Sequence, residues 1–328
     1  MKLPLAAACA LAASFLSIAH AQQRPFDAWL QDFRSSALAA RISPAIVDAA
    51  LTGLTPLEQV IERDRAQPEF TLDFRSYITR VVSPSRIEEG QLVLAEHGEL
   101  LRNVGRRYGM PPELLVAVWG VESNYGRTQG DFAVVQALAT LAYDGRRGRM
   151  FRSELLNALR ILDQGHVELH AMKGSWAGAM GQLQFMPSTF IDYAKDGDGD
   201  GRKNIWGSAA DALESAASFM STMWRPGLQW GRQVTVPATF NTALAGLARS
   251  RTLAQWQALD VRLPSGEALP GGNVRASIIF PDNGRREPAF LVSQNYRALL
   301  RWNRSDFFAL AVGHLADRVA GGQPLTGF

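Results

Sequence analysis

Glu122 is the residue whose setting most suggests chemistry. It ends the uncharged run Leu114-Leu115-Val116-Ala117-Val118-Trp119-Gly120-Val121 and leads into Ser123-Asn124-Tyr125-Gly126. Apolar surroundings withhold the hydration that a carboxylate anion needs and its neutral form does not, so the pKa of such a group rises. A carboxylic acid still protonated near neutral pH can act as a general acid. Cleavage of a glycosidic bond calls for one, because a sugar oxygen leaves poorly until it is protonated. A Glu at this place also fits a structural role, closing a buried helix and pairing with a cation. Position alone does not choose between the two.

A second set of residues points to a metal. Asp196-Gly197-Asp198-Gly199-Asp200-Gly201-Arg202 has carboxylates at positions one, three and five, Gly at six and a backbone carbonyl at seven, as in the opening of an EF-hand loop. Hard oxygen donors of this kind suit calcium rather than zinc or copper. The twelfth position is Gly207, so the bidentate Glu of that loop is missing, and Asp211 on the next helix is the candidate replacement. The expected ligand set is Asp196, Asp198, Asp200, the Arg202 carbonyl and Asp211, around a structural calcium ion. An acidic turn without metal is the alternative. No organic cofactor is expected.

Composition narrows the field further. The only cysteine is Cys9. It lies within the apolar run Leu5 to Ile18, which follows Lys2 and precedes Ala19-His20-Ala21. A short basic start, an apolar core and an A-x-A site describe a cleavable signal peptide over residues 1–21. Cys9 comes before that apolar run ends, too early for a lipid-anchor site. The processed chain then has no thiol, which excludes disulfides, cysteine nucleophiles and cysteine metal sites. No later run is long enough to span a membrane. The net charge of +3 comes without a Lys/Arg block, so nucleic acid is not an expected partner.

The elements that must position these groups are mostly helices. Phe26, Trp29, Leu30 and Phe33 recur at helical spacing, and Ser43-Pro44 begins another helix that Gly53 ends. Ile87 to Tyr108 reads as one long helix. Met110-Pro111-Pro112-Glu113 opens the helix that carries Glu122, expected from about Glu113 to Ser123, since proline suits a first turn. Further helices are expected over 133–142, 151–164, 209–224 and 296–319, and 176–186 reads as irregular or partly helical. Short strands are expected at Val234-Thr235-Val236, Val261-Arg262-Leu263, 274–280 and 289–292, punctuated by turn residues such as Pro264-Ser265-Gly266.

Four ordered segments carry a family resemblance. They are Val121-Glu122-Ser123-Asn124-Tyr125-Gly126 with Gln136-Ala137-Leu138-Ala139-Thr140-Leu141, then 174–188 (GSWAGAMGQLQFMPS), then Asp198-Gly199-Asp200-Gly201 with Ile205-Trp206, and lastly Leu299-Leu300-Arg301-Trp302-Asn303-Arg304-Ser305. Together they resemble the lytic murein transglycosylases of the B type, glycoside hydrolase family 103. The resemblance implies a mainly α fold, with a lysozyme-like core, flanking N- and C-terminal helices and a small β-containing insertion. The corresponding parts are 22–107, N-terminal and helical; 108–231, the catalytic core with the calcium loop; 232–295, the β-containing region; and 296–328, a C-terminal helix returning to the cleft.

The resemblance also implies a periplasmic, monomeric enzyme whose partner is the glycan strand of peptidoglycan. Glu122 would be its single acid/base, cutting between N-acetylmuramic acid and N-acetylglucosamine and leaving a 1,6-anhydro end. By the same resemblance Ser175, Gln184, Asn303 and Tyr77 would line the cleft, and Arg146 and Arg147 would meet stem-peptide carboxylates. Tyr77 also fits a core aromatic, Ser175 and Gln184 also fit groups that only satisfy the backbone of a glycine-rich loop, and Arg146 and Arg147 also fit a solvated charge pair. Trp302 and Phe308 stand where the family has tyrosines, so a hydrogen bond from either place is in question. A hydrolase on the same fold and a non-catalytic wall-binding protein are the rival readings.

Overall fold

The computed structural model describes residues 24–66, 72–282 and 287–328, so the expected signal peptide and Cys9 lie outside the described residues. Helix α1 (Phe26–Ala39) buries Leu30, Phe33 and Ala37 from one face, which packs against α2 (Pro44–Leu51). Ser43 caps α2 by accepting the Ile46 N–H, and Pro44 occupies its first turn. Helices α3 (Glu58–Ala66), α4 (Phe74–Val81), α5 (Pro84–Glu96) and α6 (Gly98–Tyr108) follow. Sequence periodicity gave one helix for the last two. The structure breaks it at His97, which ends α5 and begins α6, just before a glycine that is poor in a helix interior.

The catalytic candidate sits on α7 (Pro112–Ser123), in which every residue from Leu114 to Gly120 is buried. The helix is apolar all round because it is wrapped on all sides, with α5, α6, α11 (Ala209–Ser221) and α14 (Asp306–Val319) packed against it. Helices α8 (Val134–Asp144), α9 (Gly148–Asp163) and α10 (Pro187–Tyr193) complete this helical body. Strands β1 (Phe132–Ala133) and β2 (Lys173–Gly174) pair antiparallel at its edge.

The small β region contains β3 (Gly231–Val234), β4 (Ser250–Thr252), α12 (Leu253–Gln257), β5 (Arg275–Ile279) and β6 (Ala289–Val292). The four strands run antiparallel in the order β3-β6-β5-β4. Alternation along the strands divides their side chains between two cores. Ile279, Phe290 and Val292 join the main helical core, while Ala276, Ile278, Ala289 and Leu291 join a smaller one around Trp256, Phe240 and Val261. Covered on both faces, β6 is buried at every position, which is why its sequence reads as an unbroken apolar run. Of the expected strand Val261-Arg262-Leu263, only a bridge from Arg262 to Thr235 forms.

The chain then returns to α7. The expected continuous helix over 296–319 is two helices, α13 (Gln294–Trp302) and α14, with the break at 303–305. Asn303 leaves helical geometry, and Ser305 caps α14 by accepting the Phe308 N–H at 3.3 Å. This break places the end of α13 beside the end of α7.

Candidate active site

Glu122 is the penultimate residue of α7, and its neighbours fix where that helix stops. Ser123 is buried and donates to the Gln182 carbonyl at 2.6 Å, while its hydroxyl oxygen accepts the Gly126 N–H at 2.9 Å. Asn124 and Tyr125 both take left-handed backbone, with φ of 50° and 59°, which turns the chain sharply out of the helix. The Tyr125 ring then folds back over α7. A Cβ on Gly120 would lie 2.6 Å from its Cε1 and Cζ, so glycine is required there for the ring to fit. The Tyr125 hydroxyl donates to the Arg86 carbonyl at 2.6 Å, tying the turn to α5. The motif around Glu122 is thus a device for ending α7 at one defined residue.

Glu122 itself is partly exposed by area, yet protein closes around the rest of its carboxyl. Burial pushes the group up from 4.5 to about 8, opposed by a hydrogen bond from Trp302. The indole Nε1–H of Trp302 donates to Glu122 Oε1 at 2.5 Å. A group open to solvent on one side and enclosed on the others keeps this upward direction, because most of its hydration shell is gone. The bond doubted for Trp302 on sequence grounds is therefore made, by an indole rather than a phenol. The available signal was chemical: tryptophan keeps one N–H donor at its polar edge. Phe308 instead is buried in the core. Of the carboxylates near Glu122 in sequence, Asp144 is engaged by Arg65 at 3.0 Å.

The 174–188 segment forms a tight wall beside this carboxyl. The Ser175 hydroxyl oxygen accepts the Ala179 N–H at 3.1 Å, and among the described residues its own O–H finds no acceptor. A Cβ on Gly174 would lie 2.1 Å from the Ala179 carbonyl, so the loop closes only over glycine. Gln184 takes left-handed backbone and donates its amide to the carbonyls of Gln129 and Gly181, each at 2.9 Å. Glu154 accepts from both the amide and the hydroxyl of Ser188, fixing the start of α10.

The remaining candidates are distributed. Asn303 is exposed and follows Trp302 directly. Tyr77 packs against Phe307 of α14, with ring centroids 5.5 Å apart. Arg146 and Arg147 both engage Asp64, a buried carboxylate on α3; the Arg146 Nε contact is 2.8 Å. These guanidinium groups hold Asp64 well below the usual carboxylate range against its burial. The two arginines thus carry a structural bond between α3 and the start of α9, and both remain partly exposed.

In the acidic loop, Asp196, Asp198 and Asp211 bring carboxylate oxygens within 4.8 Å of one another. Asp211 is fully buried at the start of α11, and burial with the nearby Asp198 charge raises its pKa. Asp200 is exposed and lies outside that group; its carboxylate accepts the Arg202 N–H at 2.7 Å. Three convergent carboxylates repel one another, and a hard divalent cation fits such a donor set. The loop also reaches α7. Asp211 accepts the Asn204 N–H, the Gln182 N–H donates to the Ile205 carbonyl at 3.0 Å, and the Gln182 carbonyl accepts from Ser123. Gln129 and Gln182 both donate to the Trp206 carbonyl. This glutamine relay joins three of the four sequence motifs, and no local pattern of residues signals it.

Comparison with known proteins gives consistent matches. Residues 25–317 match the family model described as Transglycosylase SLT domain. The membrane-bound lytic murein transglycosylase B of Escherichia coli (strain K12) is 32% identical over 246 residues, which are 74% of this chain and 66% of that protein. The chain therefore spans about two thirds of the length of that relative. The crystal structure of SltB3 from Pseudomonas aeruginosa in complex with NAG-anhNAM-pentapeptide has a TM-score of 0.89 at 44% identity, covering 93% of this chain and 82% of that one. The Escherichia coli lytic transglycosylase Slt35 in complex with calcium has a TM-score of 0.75 at 26% identity, covering 89% of this chain and 92% of that one. The mainly helical, lysozyme-like fold is shared with these enzymes.

Proposed function

Because this chain belongs to the transglycosylase SLT domain family, we propose that it is a peptidoglycan lytic transglycosylase with Glu122 as its single acid/base. The observation that carries the reading is the Glu122 carboxyl, enclosed at the end of α7, pushed up to about 8 and held by the Trp302 indole. Near neutral pH that group is an intact acid. Its proton passes to the glycosidic oxygen as the bond to C1 of the muramyl residue breaks, and the bonding pair leaves with that oxygen. The muramyl C6 hydroxyl oxygen then supplies a pair to C1, and its proton returns to Glu122. The two transfers restore the carboxyl, water is not consumed, and the product carries a 1,6-anhydro ring. The complex of the Pseudomonas aeruginosa relative with an anhydro-muramyl pentapeptide supports this product class.

In the same reading Ser175 offers its free O–H to the sugar, Gln184 and Asn303 line the groove, and Tyr77 forms part of its far wall. Arg146 and Arg147 present their remaining N–H groups to stem-peptide carboxylates while holding Asp64. Asp196, Asp198 and Asp211 would hold a structural calcium ion, with Asp200 and the Arg202 carbonyl completing its shell; the calcium complex of Slt35 supports the choice of ion. The domain divisions at 107, 231 and 295 belong to this reading, as do export by residues 1–21, a periplasmic location and a monomeric state. Among the described residues no helix is long and apolar enough to cross a membrane.

The test is mass spectrometry of the muropeptides released from purified peptidoglycan. The expected products are one water lighter than those of a hydrolase, and Glu122→Gln releases none. Reducing ends from the wild type would replace the reading with hydrolysis. Full release by Glu122→Gln would remove Glu122 from its role.

A further inference from the structure

Trp302 does more than border the site. Its ring lies against Phe185 and Phe219, with centroids 5.3 and 5.1 Å away, so the indole is packed on two sides and its N–H approaches Glu122 from a set direction. Indole nitrogen donates and does not accept, whereas a carboxylic acid has one oxygen that accepts and one that carries the proton. A proton on Oε1 pointed at the indole would meet another N–H. The geometry points to a division of labour that Trp302 imposes on Glu122: Oε1 is kept as a permanent acceptor, and Oε2 alone gives and takes back the catalytic proton. This inference rests on the reading of Glu122 as the acid/base and names Trp302 as its positioning residue.

The arrangement suits a carboxyl that must act twice. The indole bond is compatible with both protonation states, so nothing around Oε1 has to reorganise when the proton leaves. Once Glu122 is ionised the bond becomes charge-assisted and supports the anion in an enclosed site. Several ionisable groups on and around α7 are engaged elsewhere, while Arg318 of α14 keeps buried Nε and Nη1 atoms without a hydrogen-bond partner among the described residues. Arg127 pairs with Glu89 of α5, Arg107 of α6 with Glu214 of α11, and Arg301 of α13 donates to Tyr193 and Thr222. His314 of α14 is buried and held neutral, its pKa down at about 4. Burial and the indole bond are the two causes acting on Glu122.

Two measurements test the proposal on the full-length processed enzyme. The first is the pH profile of kcat/KM for wild type and Trp302→Phe on purified peptidoglycan. The variant is expected to lose roughly 10- to 100-fold in kcat, the usual worth of a hydrogen bond to a charged group. Its basic limb should move to higher pH, because the anion has lost its donor. The second follows the Trp302 indole N–H by NMR in the wild type. That resonance should titrate with the carboxyl, stay protected from exchange on both sides of the midpoint, and cease to titrate in Glu122→Gln. A folded Trp302→Phe with an unmoved basic limb overturns the proposal. So does an indole N–H that exchanges freely while Glu122 is protonated, and this second result decides the matter even if Trp302→Phe fails to fold. Activity retained by Glu122→Gln would instead overturn the assignment of the acid, a separate failure.

Discussion

Replacing Glu122 by glutamine should make the protein more stable, and by an amount that depends on pH. The folded carboxyl titrates at about 8, against an ordinary value of 4.5 that applies to the unfolded chain. Below 4.5 both states hold the proton, and the full stability is present. Between 4.5 and about 8 the folded state keeps a proton that the unfolded state has released, so stability falls by about 1.4 kcal/mol per pH unit. Above about 8 both states are ionised and the loss is complete. Across the whole interval this amounts to at most about 5 kcal/mol, and solvent on the open side of the carboxyl reduces the expected figure to about 3 kcal/mol. Glutamine has nearly the same shape and no charge to desolvate. Urea unfolding of both proteins at a series of pH values isolates the effect, because every other titrating group cancels in the difference. The two should match near the acid end, and the variant should lead by about 3 kcal/mol once the wild-type carboxyl is ionised. A difference that stays flat through this range would mean that Glu122 is not desolvated, and the argument for a protonated acid would fall.

Two further outcomes follow from other parts of the site. Metal removal by a chelator should lower Tm by roughly 5–10 °C, the shift for losing a ligand present at about a hundred times its Kd; an unchanged melting curve after verified depletion would leave the Asp196, Asp198 and Asp211 cluster without a structural ion. Gly120→Ala sets a methyl 2.6 Å from the Tyr125 ring, which its hydroxyl pins to α5. A loss of about 1–3 kcal/mol in stability is expected, with reduced activity from a displaced Glu122, and a wild-type Tm would show that the ring yields freely.

What could be read in the sequence depended on range. Caps and apolar spacing are local, so the helices carrying Leu30, Phe33 and Glu122 were legible, as was the acidic loop with its missing twelfth-position carboxylate. Ser175 and Gln184 were legible as members of a glycine-rich wall, but their backbone partners were not, since a hydrogen bond from Gln184 to Gln129 crosses 55 residues. Arg146 and Arg147 looked like a free basic pair. Their partner Asp64 lies more than 80 residues upstream, on a helix that only tertiary packing brings near. The break between α13 and α14 hid behind continuous apolar periodicity, and that break is what frees Trp302 to turn its polar edge to Glu122. The contact spans 180 residues, and no local pattern encodes it.

The role proposed for Glu122 makes conflicting demands, and the fold meets them with one contact. Enclosure alone makes the carboxyl a reluctant anion: it keeps its proton near neutral pH and gives a poor account of itself once the proton has gone. Full solvation would make the anion comfortable and leave nothing to donate. A single charged partner such as arginine would favour the anion outright and drive the pKa down, removing the acid. A neutral donor lies between these extremes. The Trp302 indole lowers the pKa of an enclosed carboxyl without cancelling the rise, so that Glu122 stays at about 8, close to the value at which one group serves as acid and then as base. An aromatic ring also brings that donor into an apolar wall formed with Phe185 and Phe219 without adding a second charge to be desolvated. The one-carboxylate chemistry proposed for Glu122 therefore asks for a donor of this kind at the end of α7, and the break after α13 is how the chain supplies it.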